Sequence, residues 1–350
     1  MNEAAAPEAP VTFAPPVEIL GRMIGAFALS QAIYVAAKLS IADRLRAGPK
    51  SASQLARESG THPRALYRLL RALGSAGVFR ELDGESFALT PVSEMLRADV
   101  PGSLRPWAIM SGEEWVRRPW SGVMESVAHN TPAFEDALGV RPFEYMAAHP
   151  DAAALFDAAM TSGTQQALGA LMAACDFSRF ECVVDIGGGT GTFLKGVLKA
   201  HPHVNGILFE LPTVIPRAED ALEAELILGR CVLATGNFFE SVPRAVAAGA
   251  SAFVLKWILH NWDDVQALRI LRNCRDAMCD DSRLLIVERL VGAPQEASEA
   301  KLLDLNMLVI HGGGERTEAE YRALLGRAGL VIERVATVCG GLAVIEAARR

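Results

Sequence analysis

From residue 182 onward, short apolar runs alternate with stretches whose apolar positions recur every three or four residues. The runs at 182–186, 204–209, 231–235, 252–257 and 283–287 have the length and branched-aliphatic content of buried strands. Between them lie helical patterns, among them Leu194, Val197 and Leu198 on one face. Two further runs, 331–338 and 342–347, flank Gly340-Gly341, a tight-turn signal. This alternation predicts an α/β chain with a Rossmann-like doubly wound parallel sheet, and the final turn predicts one antiparallel edge strand. Ligands in such sheets bind at the carboxyl ends of the strands.

The N-terminal third follows another pattern. Residues 19–45 read as two amphipathic helical stretches, with Ile24, Phe27, Ile33 and Leu39 apolar enough to want a partner surface. Ser51 opens a helix that Gly60 closes, and Pro63 starts a second with Leu66, Leu69, Leu70 and Leu73 on one side. Runs 78–81 and 86–89 flank Asp83-Gly84, a hairpin signal. Helix, turn, helix and hairpin predict a winged helix. The expected division is a disordered lead-in over 1–18, a winged-helix dimerisation domain over 19–105, and a catalytic domain over 106–350. A helical linker at 106–174 opens the last, and its large side chains are mostly core. Phe156 and Met160, four apart on one face, read equally as core or as pocket wall.

A winged helix raises the possibility of a DNA-binding regulator, and charge argues against it. Lys+Arg 34 against Asp+Glu 41 leaves the chain at −7, and the wing itself carries Glu81, Asp83 and Glu85 where a phosphate-facing surface is basic. The six cysteines show no CxxC spacing and the seven histidines no metal-ligand spacing, so no metal is expected. Residues 24–37 are apolar but too short and too polar to span a bilayer. A cytoplasmic protein with neither membrane nor nucleic acid as partner is the expectation.

The turn at 185–191, Asp-Ile-Gly-Gly-Gly-Thr-Gly, follows the first strand of the second pattern. It satisfies neither the dinucleotide spacing of glycines at n, n+2 and n+5 nor the Gly-Lys-Ser/Thr of a phosphate loop. Glu210 ends the second strand, 25 positions after Asp185. A carboxylate there suits a ribose diol, while Asp185 suits a cationic amino-acid moiety. A nucleoside without phosphates but with a positive charge describes S-adenosylmethionine. The alternative is a glycine turn that merely packs a helix on a strand. The segment 255–264 leaves the fourth strand and enters a helix whose apolar face includes Val265, Leu268, Leu271 and Cys274, with Asp263 or Asp264 as its cap. His260 lies in the loop beyond that strand end, where a neutral imidazole can take a proton near pH 7.

These stretches resemble the metal-independent, S-adenosylmethionine-dependent small-molecule O-methyltransferases of the caffeic acid, acetylserotonin and carminomycin methyltransferase type. The matching segments are DIGGGTG at 185–191, FELPTVI at 209–215, GNFFESVP at 236–243, LKWILHNWDD at 255–264, IVERL at 286–290 and GGGERTEAEY at 312–321. The resemblance implies that Gly187 and Gly189 approach the methionine part of the cofactor and that Glu210 holds the ribose, beside Asp185. It implies that Asn237 and Phe238 bracket the adenine, and that Lys256 and Trp262 complete that wall. His260 would be the general base, flanked by Glu288 and Glu315, one of which fixes its tautomer. Phe156, Met160, Met307 and Asn261 would surround a small hydroxylated aromatic acceptor, and the protein would be a homodimer. Asn237 and Asn261 stand where the family usually has Asp. Chemistry other than O-methylation, either N- or C-methylation or none, is the alternative within the family.

Overall fold

The computed structural model describes residues 15–223, 228–245 and 249–350. The chain forms two compact units, one ending at Arg97 and the other starting at Ala98. The first 14 residues of the expected lead-in lie outside the described residues, and the chain is helical from Pro16.

In the first unit, α1 (Pro16–Lys38) begins with proline at its first turn, where no intrahelical N–H is needed. It is one 23-residue helix, longer than the apolar stretch 24–37 suggests, because eight further residues join at its N-terminus. By length and composition alone it could cross a bilayer. Ile24 is 73% exposed and Phe27 64% exposed. After α2 (Ile41–Arg44) and β1 (Lys50–Ser51), Ser51 Oγ accepts the Gln54 N–H at 3.2 Å and caps α3 (Ala52–Ser59), which Gly60 ends in the left-handed region. Helix α4 (Pro63–Ser75) buries Leu66, Leu70 and Leu73 and leaves Leu69 half-buried. Strands β2 (Phe79–Leu82) and β3 (Ser86–Leu89) pair across a turn in which Gly84 and Glu85 both have positive φ. Strand β1 joins β3 on its other side, and α5 (Pro91–Glu94) follows. The winged-helix pattern stands where the apolar periodicity puts it.

The second unit opens with helices α6 (Arg105–Gly112), α7 (Glu114–Trp120), α8 (Val123–His129), α9 (Ala133–Leu138), α10 (Pro142–Ala148) and the 25-residue α11 (Pro150–Ala174). Trp115 and Phe134 centre their core, together with Val309 and Ile310 from later in the chain. The sheet then builds from β4 (Cys182–Ile186), β5 (Asn205–Glu210), β6 (Cys231–Thr235), β7 (Ser251–Lys256) and β8 (Arg283–Arg289), interleaved with α12 (Thr192–Ala200), α13 (Ile215–Glu223) and α14 (Asp264–Ala277). Helices α15 (Glu299–Ile310) and α16 (Glu318–Ala328) precede β9 (Leu330–Thr337) and β10 (Leu342–Arg349). The strand order is β6-β5-β4-β7-β8-β10-β9. The first five strands are parallel, and β10 runs antiparallel to both neighbours.

The antiparallel strand expected at the edge lies one place in from it, and β9 takes the edge. Burial explains the exchange. Seven successive residues of β10 are buried and belong inside the sheet, whereas β9 buries only Leu330 and leaves Val331 exposed. One face of the sheet packs on α14 and α16 and the other on α11 and α12, so both faces of β4 are dry. Asp263 caps α14 through the Gln266 N–H at 2.8 Å. Val265, expected on the buried face, is 75% exposed, because the helix turns Ala267, Leu268, Ile270 and Leu271 inward instead.

Candidate active site

The glycine turn after β4 is backbone brought close to its surroundings. Gly187, Gly189 and Gly191 have φ of 68°, 60° and 73°, a region that costs side-chain-bearing residues energy. A Cβ on Gly188 would run into the Asp185 carboxylate, and one on Gly187 would lie 2.6 Å from Ile258 Cδ1. Gly189 instead faces open space. Glu210 Oε1 accepts the Gly189 N–H at 2.9 Å, and Oε2 accepts the Leu211 N–H at 2.7 Å. Burial pushes Glu210 up to about 7. Asp185 is fully buried, and neither of its carboxylate oxygens has a hydrogen-bond partner. Burial pushes it up to about 6, against the pull of Lys256.

These groups border a cavity of about 500 Å³ at the carboxyl ends of the parallel strands. Of the sequence-predicted residues, Gly187, Gly189, Glu210, Asn237, Phe238, Lys256, Trp262, Phe156, Met160 and Asn261 line it. Asp185, His260, Glu288, Glu315 and Met307 do not. Phe156 and Met160 are therefore cavity wall as well as packing for the helical core. Asn237 Oδ1 is turned back onto its own loop, where it accepts the Phe239 N–H at 2.9 Å. Trp262 meets the edges of Phe238 and Phe239 at 6.0 and 4.7 Å between ring centres. Lys256 Nζ lies 3.9 Å from the Trp257 ring centre, and burial pulls its ammonium down to about 8, opposed by Asp185 and Glu288. Trp257 itself has φ 57°, an uncommon and strained conformation for so bulky a residue.

His260 sits in a short 3-10 turn, Leu259–Asn261, that two side chains from distant segments hold. Glu288 Oε1 accepts the backbone N–H groups of Ile258 and Leu259, each at 2.9 Å, and that of His260 at 3.4 Å. Arg316 donates to the carbonyls of Leu259 and Trp262 at 3.0 and 2.8 Å and pairs with Asp264. His260 Nδ1 lies 2.6 Å from Glu315 Oε1, and Glu288 Oε2 is 3.5 Å from it. A carboxylate only accepts, so Nδ1 carries the proton and Nε2 is left with its lone pair. The Glu315 backbone N–H is held by Asp304 Oδ1 at 2.9 Å.

Burial disfavours the His260 imidazolium, but the Glu288 charge and the Glu315 hydrogen bond outweigh it and raise the pKa above the usual 6.5. Burial pushes Glu288 up to about 7, against the pull of His260. Ligand-type atoms of His260, Glu288 and Glu315 lie within 4.8 Å of one another. The 2.6 Å contact at Nδ1 is the geometry of a charge-assisted hydrogen bond.

Several residues at or beside the cavity carry no signal in the sequence. Phe143 of α10 stacks on Trp262 at 5.8 Å, meets Phe156 edge-on, and lies 5.4 Å from the His311 ring. Burial, with His260 nearby, pulls His311 down to about 3 and keeps its imidazole neutral. Arg217 Nε donates to Asp157 Oδ2 at 2.5 Å on the same wall. Phe143 and His311 come from segments with no local signal. Arg316 stands beside Glu315 in the 312–321 motif.

Comparison with known proteins bears on this geometry. A family model described as an O-methyltransferase domain matches residues 120–331, and one described as an O-methyltransferase dimerisation domain matches residues 22–99. The chain is 40% identical over 329 residues to a phenazine O-methyltransferase of Lysobacter antibioticus, covering 94% of this chain and 95% of that one. Among solved structures, the crystal structure of LaPhzM superposes with a TM-score of 0.91 at 39% identity, covering 96% of this chain and all of that one. An O-methyltransferase from neocarzinostatin biosynthesis, in complex with S-adenosylmethionine and 2-hydroxy-5-methyl naphthoic acid, superposes with a TM-score of 0.79 at 30% identity, over 92% and 96% of the two chains.

Proposed function

The chain belongs to the O-methyltransferase family, and from that premise we propose that its cavity binds S-adenosylmethionine and that His260 is the general base for a small aromatic acceptor. It is an S-adenosylmethionine-dependent O-methyltransferase with its own dimerisation domain. The observation that carries the site assignment is the pairing of an open glycine turn with Glu210 on one cavity wall.

The residues present fit the cofactor. Gly189 leaves open space at a backbone position that a side chain would fill. Glu210 offers a carboxylate for a ribose diol, and Phe238 and Trp262 offer aromatic surface for a purine. When bound, the cofactor supplies a methyl group on a sulfonium centre, already electrophilic. What remains for the protein is alignment and the handling of one proton. A phenol with pKa about 10 is mostly protonated at neutral pH. His260 Nε2 takes that proton, and Glu315 holds the imidazole through Nδ1 as positive charge develops on it. Glu288 and Arg316 keep the turn that carries His260 in place. Phe156, Met160 and Phe143 supply an apolar wall suited to an aromatic ring.

The direct test is a screen of hydroxylated aromatics with a labelled methyl donor, read by mass. At least one phenol is expected to gain one labelled methyl group. Methylation confined to amine acceptors would replace the oxygen assignment with a nitrogen one.

The exposed apolar face of α1 supports a homodimer. Met23, Ile24 and Phe27 are each more than 60% exposed, and residues 22–99 match the dimerisation domain. Light scattering on the parent chain is expected to give twice 37.5 kDa. Ile24→Asp with Phe27→Asp is expected to shift the mass toward one copy. A stable, active monomer of the parent chain at micromolar concentration would remove the claim.

A further inference from the structure

The aromatic wall of the cavity continues past the residues assigned to the cofactor. Trp262 meets Phe238 edge-on, Phe143 stacks on Trp262, and the His311 ring follows Phe143 at 5.4 Å with 35° between the planes. His311 ends this row at the C-terminus of α15. Its backbone is fixed there, since the N–H groups of His311 and Gly312 both donate to the Met307 carbonyl, at 2.9 and 2.8 Å. The His311 side chain is half-buried, and neither ring nitrogen has a hydrogen-bond partner among the described residues. We propose that His311 is a specificity residue whose imidazole hydrogen-bonds a second hydroxyl on the acceptor ring. The inference rests on the reading of His260 as the base for an aromatic hydroxyl.

The two imidazoles stand close enough for the charge of His260 to act on His311, so His311 lies beside whatever His260 deprotonates. Their surroundings separate their roles. His260 has Glu288 and Glu315 to stabilise its imidazolium. His311 has burial and His260 against it, and at about 3 it is far too weak a base to take a phenol proton. It remains neutral, with one N–H to donate and one lone pair to accept. A hydroxyl offers the complementary pair.

The selectivity comes from water. Phe143, Phe156 and Met160 make the wall apolar, and an acceptor ring pressed against it excludes solvent from the His311 nitrogens. A second hydroxyl at that place replaces the lost hydrogen bonds. A bare ring leaves a donor and an acceptor unpaired, which a site built for a hydroxyl penalises strongly. The competing account is a ring that only packs on Phe143.

The test measures kcat/KM with a labelled methyl donor on 2-naphthol and on dihydroxynaphthalenes that carry the second hydroxyl at each of the other ring positions. The parent is expected to prefer at least one diol by about 10-fold or more, the usual cost of leaving buried polar groups unpaired. His311→Phe, which keeps a ring against Phe143 and drops both nitrogens, is expected to abolish that preference by slowing on the diol alone. His311→Gln, which restores a donor and an acceptor, should recover part of it. Each variant should bind S-adenosylhomocysteine as the parent does, which also shows that the site is folded. His311→Leu repeats the comparison without a ring, so the result does not depend on one variant folding.

Equal losses on 2-naphthol and the diols in the Phe and Leu variants, as packing alone predicts, would overturn the specificity role and leave His260 as the base. So would a parent that turns over 2-naphthol as fast as every diol. A parent that methylates neither 2-naphthol nor any diol would overturn the aromatic-hydroxyl reading itself, and this inference with it.

Discussion

His260→Ala is expected to bind S-adenosylhomocysteine as the parent does and to lose about 10²–10⁴-fold in turnover, the usual worth of a positioned acid–base group. Cofactor binding should survive because the cofactor's contacts are assigned to the glycine turn, Glu210, Phe238 and Trp262 rather than to His260. The loss should shrink for an acceptor whose hydroxyl is already ionised, since that substrate has no proton to give up. Sign and pH follow from the same geometry. The neutral imidazole is the working form, and the Glu288 charge and Glu315 hydrogen bond raise the His260 pKa above 6.5. Turnover in the parent should therefore rise with pH along a limb centred above 6.5, and that limb should be missing in His260→Ala. A merely structural histidine predicts another pattern: a lower melting temperature, weaker cofactor binding, and equal losses on acceptors of high and low pKa. Observing that pattern would sink the assignment.

Glu288→Ala is expected to be the most destabilising single change at the site. Glu288 is fully buried, and its Oε1 accepts three backbone N–H groups of the turn that carries His260. Removing the acceptor leaves those donors without partners, and each buried orphan costs about 1–3 kcal/mol. A total loss of about 3 kcal/mol or more follows from the same range, read as a melting temperature lowered by several degrees. Glu288→Gln separates this structural role from the electrostatic one. Its amide oxygen can still accept the N–H groups, so stability should stay near that of the parent. It lacks the charge that raises His260 most, so the pH limb should move to lower pH. If Glu288→Ala melted with the parent, the turn would not depend on this carboxylate and the account of the loop would be wrong.

Much of the architecture was legible along the chain because its causes are local. Strand β4 begins and ends where its apolar run does, since a strand buried on both faces needs continuous apolar side chains. Ser51, Gly60, Pro63 and Asp263 mark helix ends because capping is settled within four residues. The glycine turn was equally clear, as three positive φ angles within five residues admit little but glycine. Val265 falls outside the buried face because one helical period fits several faces, and only the packed sheet selects among them.

By itself, then, the sequence determined the elements, their order and the family motifs, all of which arise from backbone hydrogen bonding and short-range sterics. Tertiary structure alone decided which carboxylate serves His260. Glu315, 55 positions away, accepts the imidazole N–H, while Glu288, 28 positions away, accepts the backbone N–H groups of the turn. Nothing along the chain distinguishes two acids that both lie close to one histidine. The choice is made where β8 and the segment before α16 converge on the loop after β7, because each buried donor there must find an acceptor. The place of β10 inside the sheet was decided in the same way, by which of two strands could afford to leave one edge in water.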